Sequence, residues 1–173
     1  MEQNLDIAAT RKNYVDYLAH RPRVEKIGEH GLFTDEGEPV VLGQVQNQVA
    51  DHKGIVWTHV ISLRREDAAR LGYDSAVQWM ALLRSKRAML CKHMKIDSAN
   101  LKWYAAFHNE SHHPHVHLLV YSVKDGEGYL TKQSIEAMRS ELAHDIFRQD
   151  FANIYEEQAQ SRMDLKERSE VVM

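Results

Sequence analysis

"LKWYAAFHNESHHPHVHLLVYS", residues 101–122, holds two apolar runs separated by the six polar or turn-forming residues "NESHHP". Residues 101–108 and 115–122 alternate with period two and read as β-strands. A six-residue connection makes an antiparallel hairpin the simplest link between them. Side chains two apart on a strand share a face, so His115 and His117 project together with Val116 on the opposite side. His108 closes the first strand, and the hairpin brings it beside His115. Three imidazoles from two paired strands can hold one metal ion and leave positions open for a substrate. His112 and His113 lie in the loop and are poorer ligands, while Pro114 fixes the chain just before the first ligand on the second strand. The competing reading is a histidine-rich surface turn. Against it, buried imidazoles are costly unless each finds a polar partner.

Outward from this hairpin, residues 5–20 read as a helix stopped by Pro22. Ile7, Tyr14, Val15 and Leu18 form its apolar stripe. Tyr17 lies about 60° around the helix from Tyr14, so Tyr14 points to the core and Tyr17 to the rim. Residues 22–54 are weakly patterned, with a short helix near 42–50. The run 55–63, "IVWTHVISL", reads as a strand, followed by a short helix that stops at Gly72. Ser75 and Gln78 form a capping-box pattern opening one long helix to about Met94, with Trp79, Leu83, Leu90 and Met94 inward. Thr131 caps a last helix to about residue 157, with Ile135, Met138, Leu142, Ile146 and Ile154 buried. The order of elements implies an α+β fold: an antiparallel sheet covered by helices. Residues 1–160 form one domain, and 161–173 a charged tail.

With 173 residues the chain can bury one proper core, and a net charge of −3 gives no global sign of nucleic-acid binding. Local basic clusters exist nonetheless, Arg64, Arg65 and Arg70 in one and Arg84, Lys86, Arg87, Lys92 and Lys95 in another, and on charge alone each reads as a solvated helix face. The single cysteine, Cys91, cannot form an internal disulfide and points to a reducing compartment. No apolar run reaches membrane-spanning length and no leader pattern opens the chain, which together imply a cytoplasmic protein with no membrane partner.

"HPHVH" with an upstream histidine resembles the HUH motif, His-hydrophobic-His, of single-strand-specific endonucleases. More narrowly, "FHNESHHPHVHLLVYS" resembles the third motif of MobA/MobL-type plasmid mobilisation relaxases. "NYVDYLAHRPRVE", "VWTHVISLRREDAARLGY" and "WYAAFHNE" are similar to segments of relaxases from Gram-positive conjugative elements. The resemblance covers about residues 12–160.

The resemblance implies an HUH-type sheet and a relaxase chemistry. A tyrosine on the first helix would attack one phosphodiester of single-stranded DNA at an origin of transfer, giving a 5′-phosphotyrosyl bond and a free 3′-hydroxyl. The metal histidines fall on His108, His115 and His117, and the nucleophile on Tyr17, with Tyr14 as the alternative. Glu110 takes the place of the family's aspartate in a His-x-Asp pattern, as an orienter of a metal histidine or as a loop carboxylate. Glu66 is a further candidate base or orienter. Arg21, Arg23, Arg64 and Arg65 would neutralise DNA phosphates, and Trp57, Trp103 and Tyr104 would either stack on bases or fill the core. The expected ion is Mn2+ or Mg2+, with Zn2+, Ni2+ or Co2+ compatible with three nitrogen ligands. Expected partners are relaxosome accessory proteins and a conjugative coupling protein. Relaxases of this class usually open with a strand before the tyrosine helix, so the sheet is expected to lack that first strand. This keeps open an inactive or truncated HUH-fold protein that binds single-stranded DNA, beside a rolling-circle replication initiator.

Overall fold

The computed structural model describes residues 2–170. Four strands form one antiparallel sheet in the order β1-β3-β4-β2: β1 is Leu32–Phe33, β2 Trp57–Ser62, β3 Leu101–His108 and β4 His115–Ser122. Among the described residues seven helices accompany it: α1 (Glu2–His20), α2 (Leu42–Asp51), α3 (Arg65–Leu71), α4 (Ala76–Ser85), α5 (Arg87–Met94), α6 (Lys132–Ile146) and α7 (Arg148–Glu170). The α+β class and the antiparallel sheet are as the sequence pattern requires. Among the described residues no strand precedes α1.

The two central strands are the predicted hairpin, paired from Leu101↔Ser122 to His108↔His115. Alternation splits their side chains between two cores. Trp103, Ala105, Phe107, Val116, Leu118 and Val120 join the larger core beneath α4, α5 and α6. Tyr104, Ala106, Leu119 and Tyr121 face the other way, against Val15, Leu18 and Ala19 of α1 and Val45 and Val49 of α2. Trp103 and Tyr104 are therefore core residues, 1% and 8% exposed, rather than surfaces for stacking bases. Trp57 is half-buried, and its indole N–H donates to the Gly128 carbonyl (2.6 Å). Burying Leu18 alone is worth about 1.5–3 kcal/mol, which fixes α1 against the face that carries the histidines.

Several expected elements are differently bounded. The long helix over 76–94 breaks at Lys86 into α4 and α5, although Trp79, Leu83, Leu90 and Met94 are all buried as its stripe required. Ser75 makes no side-chain cap. The Ala76 N–H instead donates to the Glu25 carboxylate (3.0 Å), so a loop residue distant in sequence does the capping. The last helix also breaks, at Phe147, and continues as α7 through the expected tail. Met138, Leu142 and Ile146 are buried, but Ile135, which lines a cavity facing β2, and Ile154 are exposed. Ile7 near the start of α1 is exposed as well. Residues 171–173 of the expected tail lie outside the described residues.

The weakly patterned segment after α1 is held by backbone contacts. The Glu25 N–H donates to the Phe107 carbonyl (2.9 Å), and the Asn109 N–H to the Arg23 carbonyl (2.8 Å). These bonds lay residues 23–25 along the end of β3 and hold Arg23 at φ 72, a left-handed conformation uncommon for a non-glycine residue. Gly31 lets the returning chain pass: a Cβ there would stand 2.2 Å from Cγ2 of Val24. The corner after α1 is thereby packed against the histidine end of the sheet.

Candidate metal centre

Sheet register assembles the site. His108 and His115 are direct cross-strand partners, and His117 pairs with Ala106, one step along the same face. The three rings stand 4.9–5.3 Å apart between centroids. Each offers a ring nitrogen, and these atoms lie within 4.8 Å of one another. Ala106 carries no bulk to separate them.

Hydrogen bonds assign the tautomers. Nε2 of His108 donates to the Leu18 carbonyl (3.1 Å) and Nδ1 of His115 to the His113 carbonyl (2.9 Å). Nδ1 of His117 lies 3.5 Å from the Tyr14 hydroxyl. The remaining nitrogens are Nδ1 of His108 and Nε2 of His115 and His117. Two of these, in His108 and His117, are buried with no protein hydrogen-bond partner. Buried polar atoms left unpaired are costly, and a metal ligated by all three relieves that cost. Burial lowers the pKa of both His108 and His117, the latter to about 4, and neighbouring His115 and Arg21 charges push the same way. Both rings are therefore neutral near pH 7, with lone pairs free to coordinate. Three imidazoles on one face, each steadied through its other nitrogen, fit a divalent cation with open positions.

Tyr14 of α1 borders the triad, and Tyr17 lies beside Tyr14. Tyr14 is half-buried rather than a core residue, and stacks on Tyr17 at 6.3 Å between centroids. Burial raises the Tyr14 pKa, a hydrogen bond with Thr58 lowers it, and the Tyr17 charge raises it. Tyr17 is 45% exposed, with the Arg21 guanidinium 5.3 Å from its ring centroid. Helix phase had separated the two tyrosines into core and rim. It gave no sign that Tyr14 would meet His117 or Thr58, since both contacts come from strands distant in sequence.

The remaining candidate residues divide. Glu110 pairs with Arg21 (3.6 Å) and Arg23 (3.3 Å), while the histidine partners are backbone carbonyls and Tyr14. Arg65 clasps the hairpin loop: it donates to Asn109 Oδ1 (2.8 Å), to the Ser111 carbonyl (3.0 Å) and to the Glu110 carbonyl. Its donors hold the loop that follows His108. Arg64 is exposed at the N-cap of α3, and Glu66 is exposed on that helix's first turn. His112 and His113 are exposed and outside the triad. A cavity of about 480 Å³ lies between β2 and α6, lined by Met138 and Leu142. It opens from the opposite sheet face, so it does not serve the triad.

The model of the MobL relaxases matches residues 8–171, nearly the whole chain, including every histidine of the triad and both tyrosines. The chain belongs to the MobL relaxases. That membership makes it a relaxase of mobilisation and gives the histidine triad its context. No curated protein and no solved structure matches this relaxase. Among its described residues no helix is long and apolar enough to cross a membrane.

Proposed function

We propose that this MobL relaxase nicks and rejoins one strand of DNA at an origin of transfer by tyrosine transesterification. The observation that carries the reading is the convergence of three histidine nitrogens beside the tyrosine-bearing face of α1. His108, His115 and His117 would hold the divalent cation, manganese or magnesium, with zinc, nickel or cobalt also compatible with nitrogen ligands. When bound, the ion supplies electrophilic activation of the scissile phosphate.

Tyr17 is the nucleophile. Its exposed ring leaves the hydroxyl free to meet DNA, whereas the Tyr14 hydroxyl is engaged with His117 and Thr58. A phenol with an ordinary pKa near 10 is a weak nucleophile at neutral pH, so the reaction relies on activation of the phosphate by the bound ion. Tyr17 Oη bonds to phosphorus as its proton leaves to solvent. The bond from phosphorus to the 3′-oxygen breaks, and that oxygen takes up a proton. The products are a 5′-phosphotyrosyl link and a 3′-hydroxyl, and reversal rejoins the strand. Tyr14 and the Leu18 and His113 carbonyls keep the three rings oriented. Relaxosome accessory proteins and a conjugative coupling protein are the expected partners, in the cytoplasm.

The test is covalent transfer. Protein with manganese is mixed with 3′-labelled single-stranded oligonucleotides tiled across the DNA neighbouring its own gene. The expected result is label shifted to protein size on a denaturing gel, retained by Tyr14→Phe and lost with Tyr17→Phe. Metal and oligonucleotide binding with no transfer would favour instead an inactive HUH-fold protein that binds single-stranded DNA. Transfer at a replication origin alone would favour a rolling-circle initiator.

A further inference from the structure

Glu110 is the one acid on the histidine hairpin, and its carboxylate pairs with arginines rather than with a histidine ring. Its two carboxylate oxygens face Arg21 (3.6 Å) and Arg23 (3.3 Å), the residues on either side of Pro22. The arrangement is pinned from behind. The Glu110 N–H donates to the His108 carbonyl (2.9 Å), and Arg65 holds the carbonyls of Glu110 and Ser111. Arg23 is held left-handed by the bond from the Asn109 N–H to its carbonyl (2.8 Å). Backbone held in such a conformation marks a position fixed by its surroundings.

We infer that Glu110 is a resident counter-anion for a phosphate subsite formed by Arg21 and Arg23, and that single-stranded DNA binds there by displacing the carboxylate with a backbone phosphodiester. The inference rests on the relaxase reading and deepens it. A phosphodiester carries the same single negative charge as the carboxylate and also presents two non-bridging oxygens, so it suits the same guanidinium forks. The ion pairs are long and partly solvated, with side-chain exposure of 28% for Glu110, 32% for Arg21 and 53% for Arg23, so they exchange readily. Arg65 differs, because its Nε and Nη2 already donate to backbone and amide oxygens. Arg21 also sits over the Tyr17 ring, so a phosphate captured there lies beside the proposed nucleophile. Competition from Glu110 weakens every strand equally and leaves tight binding to DNA that makes further contacts.

The experiment measures binding of a fluorescein-labelled oligothymidylate to the full chain with manganese, across a range of salt. Glu110→Gln is expected to bind tighter at low salt by about threefold to tenfold, the scale of one or two exposed ion pairs. The gain should shrink as salt rises, because the freed arginines then carry small anions that DNA must release. Combining Glu110→Gln with Arg21→Ala and Arg23→Ala should remove the gain. Glu66→Gln, which removes an exposed acid from α3, should give a smaller one. If Glu110→Gln does not fold, Glu110→Asp shortens the reach of the carboxylate and should give an intermediate gain. Unchanged or weaker binding by the Glu110 variants, with the wild type still binding, overturns the inference and leaves the relaxase reading intact. A gain that persists without both arginines also overturns it, since it would then reflect net charge alone. Failure of every protein to bind the oligonucleotide at any salt overturns the relaxase reading, and the inference with it.

Discussion

The hydroxyl of Tyr14 stands 3.5 Å from Nδ1 of His117 and ties the first helix to the central strand across 103 residues of sequence. With Nε2 of His117 turned to the metal position, the Nδ1–H donates a hydrogen bond to the Tyr14 hydroxyl oxygen. Tyr14→Phe is expected to weaken manganese binding about tenfold, the usual cost of losing a partner behind a metal histidine. Tyr17→Phe should leave it unchanged. Calorimetric titration of both variants checks this, and equal affinity in wild type and Tyr14→Phe would remove Tyr14 from the role.

Metal should stabilise the fold, because ligation satisfies two buried ring nitrogens that otherwise have no protein partner. At a manganese concentration a hundredfold above Kd the gain is about 2.7 kcal/mol. Thermal melts should therefore shift upward with manganese in the wild type. They should not shift in His108→Ala, His115→Ala or His117→Ala.

Acid should undo this region before the rest of the protein. The pKa of His117 is lowered to about 4 from 6.5, first by burial, and that of His108 is lowered for the same leading reason. An unfolded chain takes up these protons at a pH where the folded chain refuses them. The stability that His117 contributes is thus whole above pH 6.5 and is lost as pH falls toward 4, and that of His108 is lost in the same direction. Each ring adds a slope of at most about 1.4 kcal/mol per pH unit. Urea unfolding across this range should show a flatter profile for His117→Gln than for wild type. Parallel profiles would contradict the buried neutral state.

Arg65 holds the loop after His108 through three oxygen acceptors. Arg65→Ala should cost about 1–2 kcal/mol in urea unfolding and weaken manganese binding as the loop loosens. Arg65→Lys should not restore either property, because an ammonium cannot reproduce the planar fork.

Gly31→Ala would place its Cβ 2.2 Å from Val24 Cγ2, beside the strand end that carries His108. The expected loss is about 1–3 kcal/mol, with partial recovery when Val24→Ala is added. Denaturant midpoints of the single and double variants decide it.

The sequence alone determined the features whose causes are local. Period-two alternation set β3 and β4 at 101–108 and 115–122, and two-residue spacing placed His115 and His117 on one face. Gly72 ended α3 in a left-handed conformation, and Thr131 capped α6 by accepting from the Ser134 N–H. The features that only the tertiary structure decided depend on chain segments meeting from afar. Glu25 replaced Ser75 as the cap of α4 because the corner after α1 is stitched to β3, which brings a carboxylate to that helix end. Ile135 and Ile154 fit an apolar stripe yet stay exposed, because periodicity specifies a face but not whether a neighbour covers it. Tyr14 met His117, and Glu110 met Arg21 and Arg23 rather than a histidine, for the same reason. Spacing along the chain fixes the direction of a side chain, while its partner is fixed by the packing of helices onto the sheet.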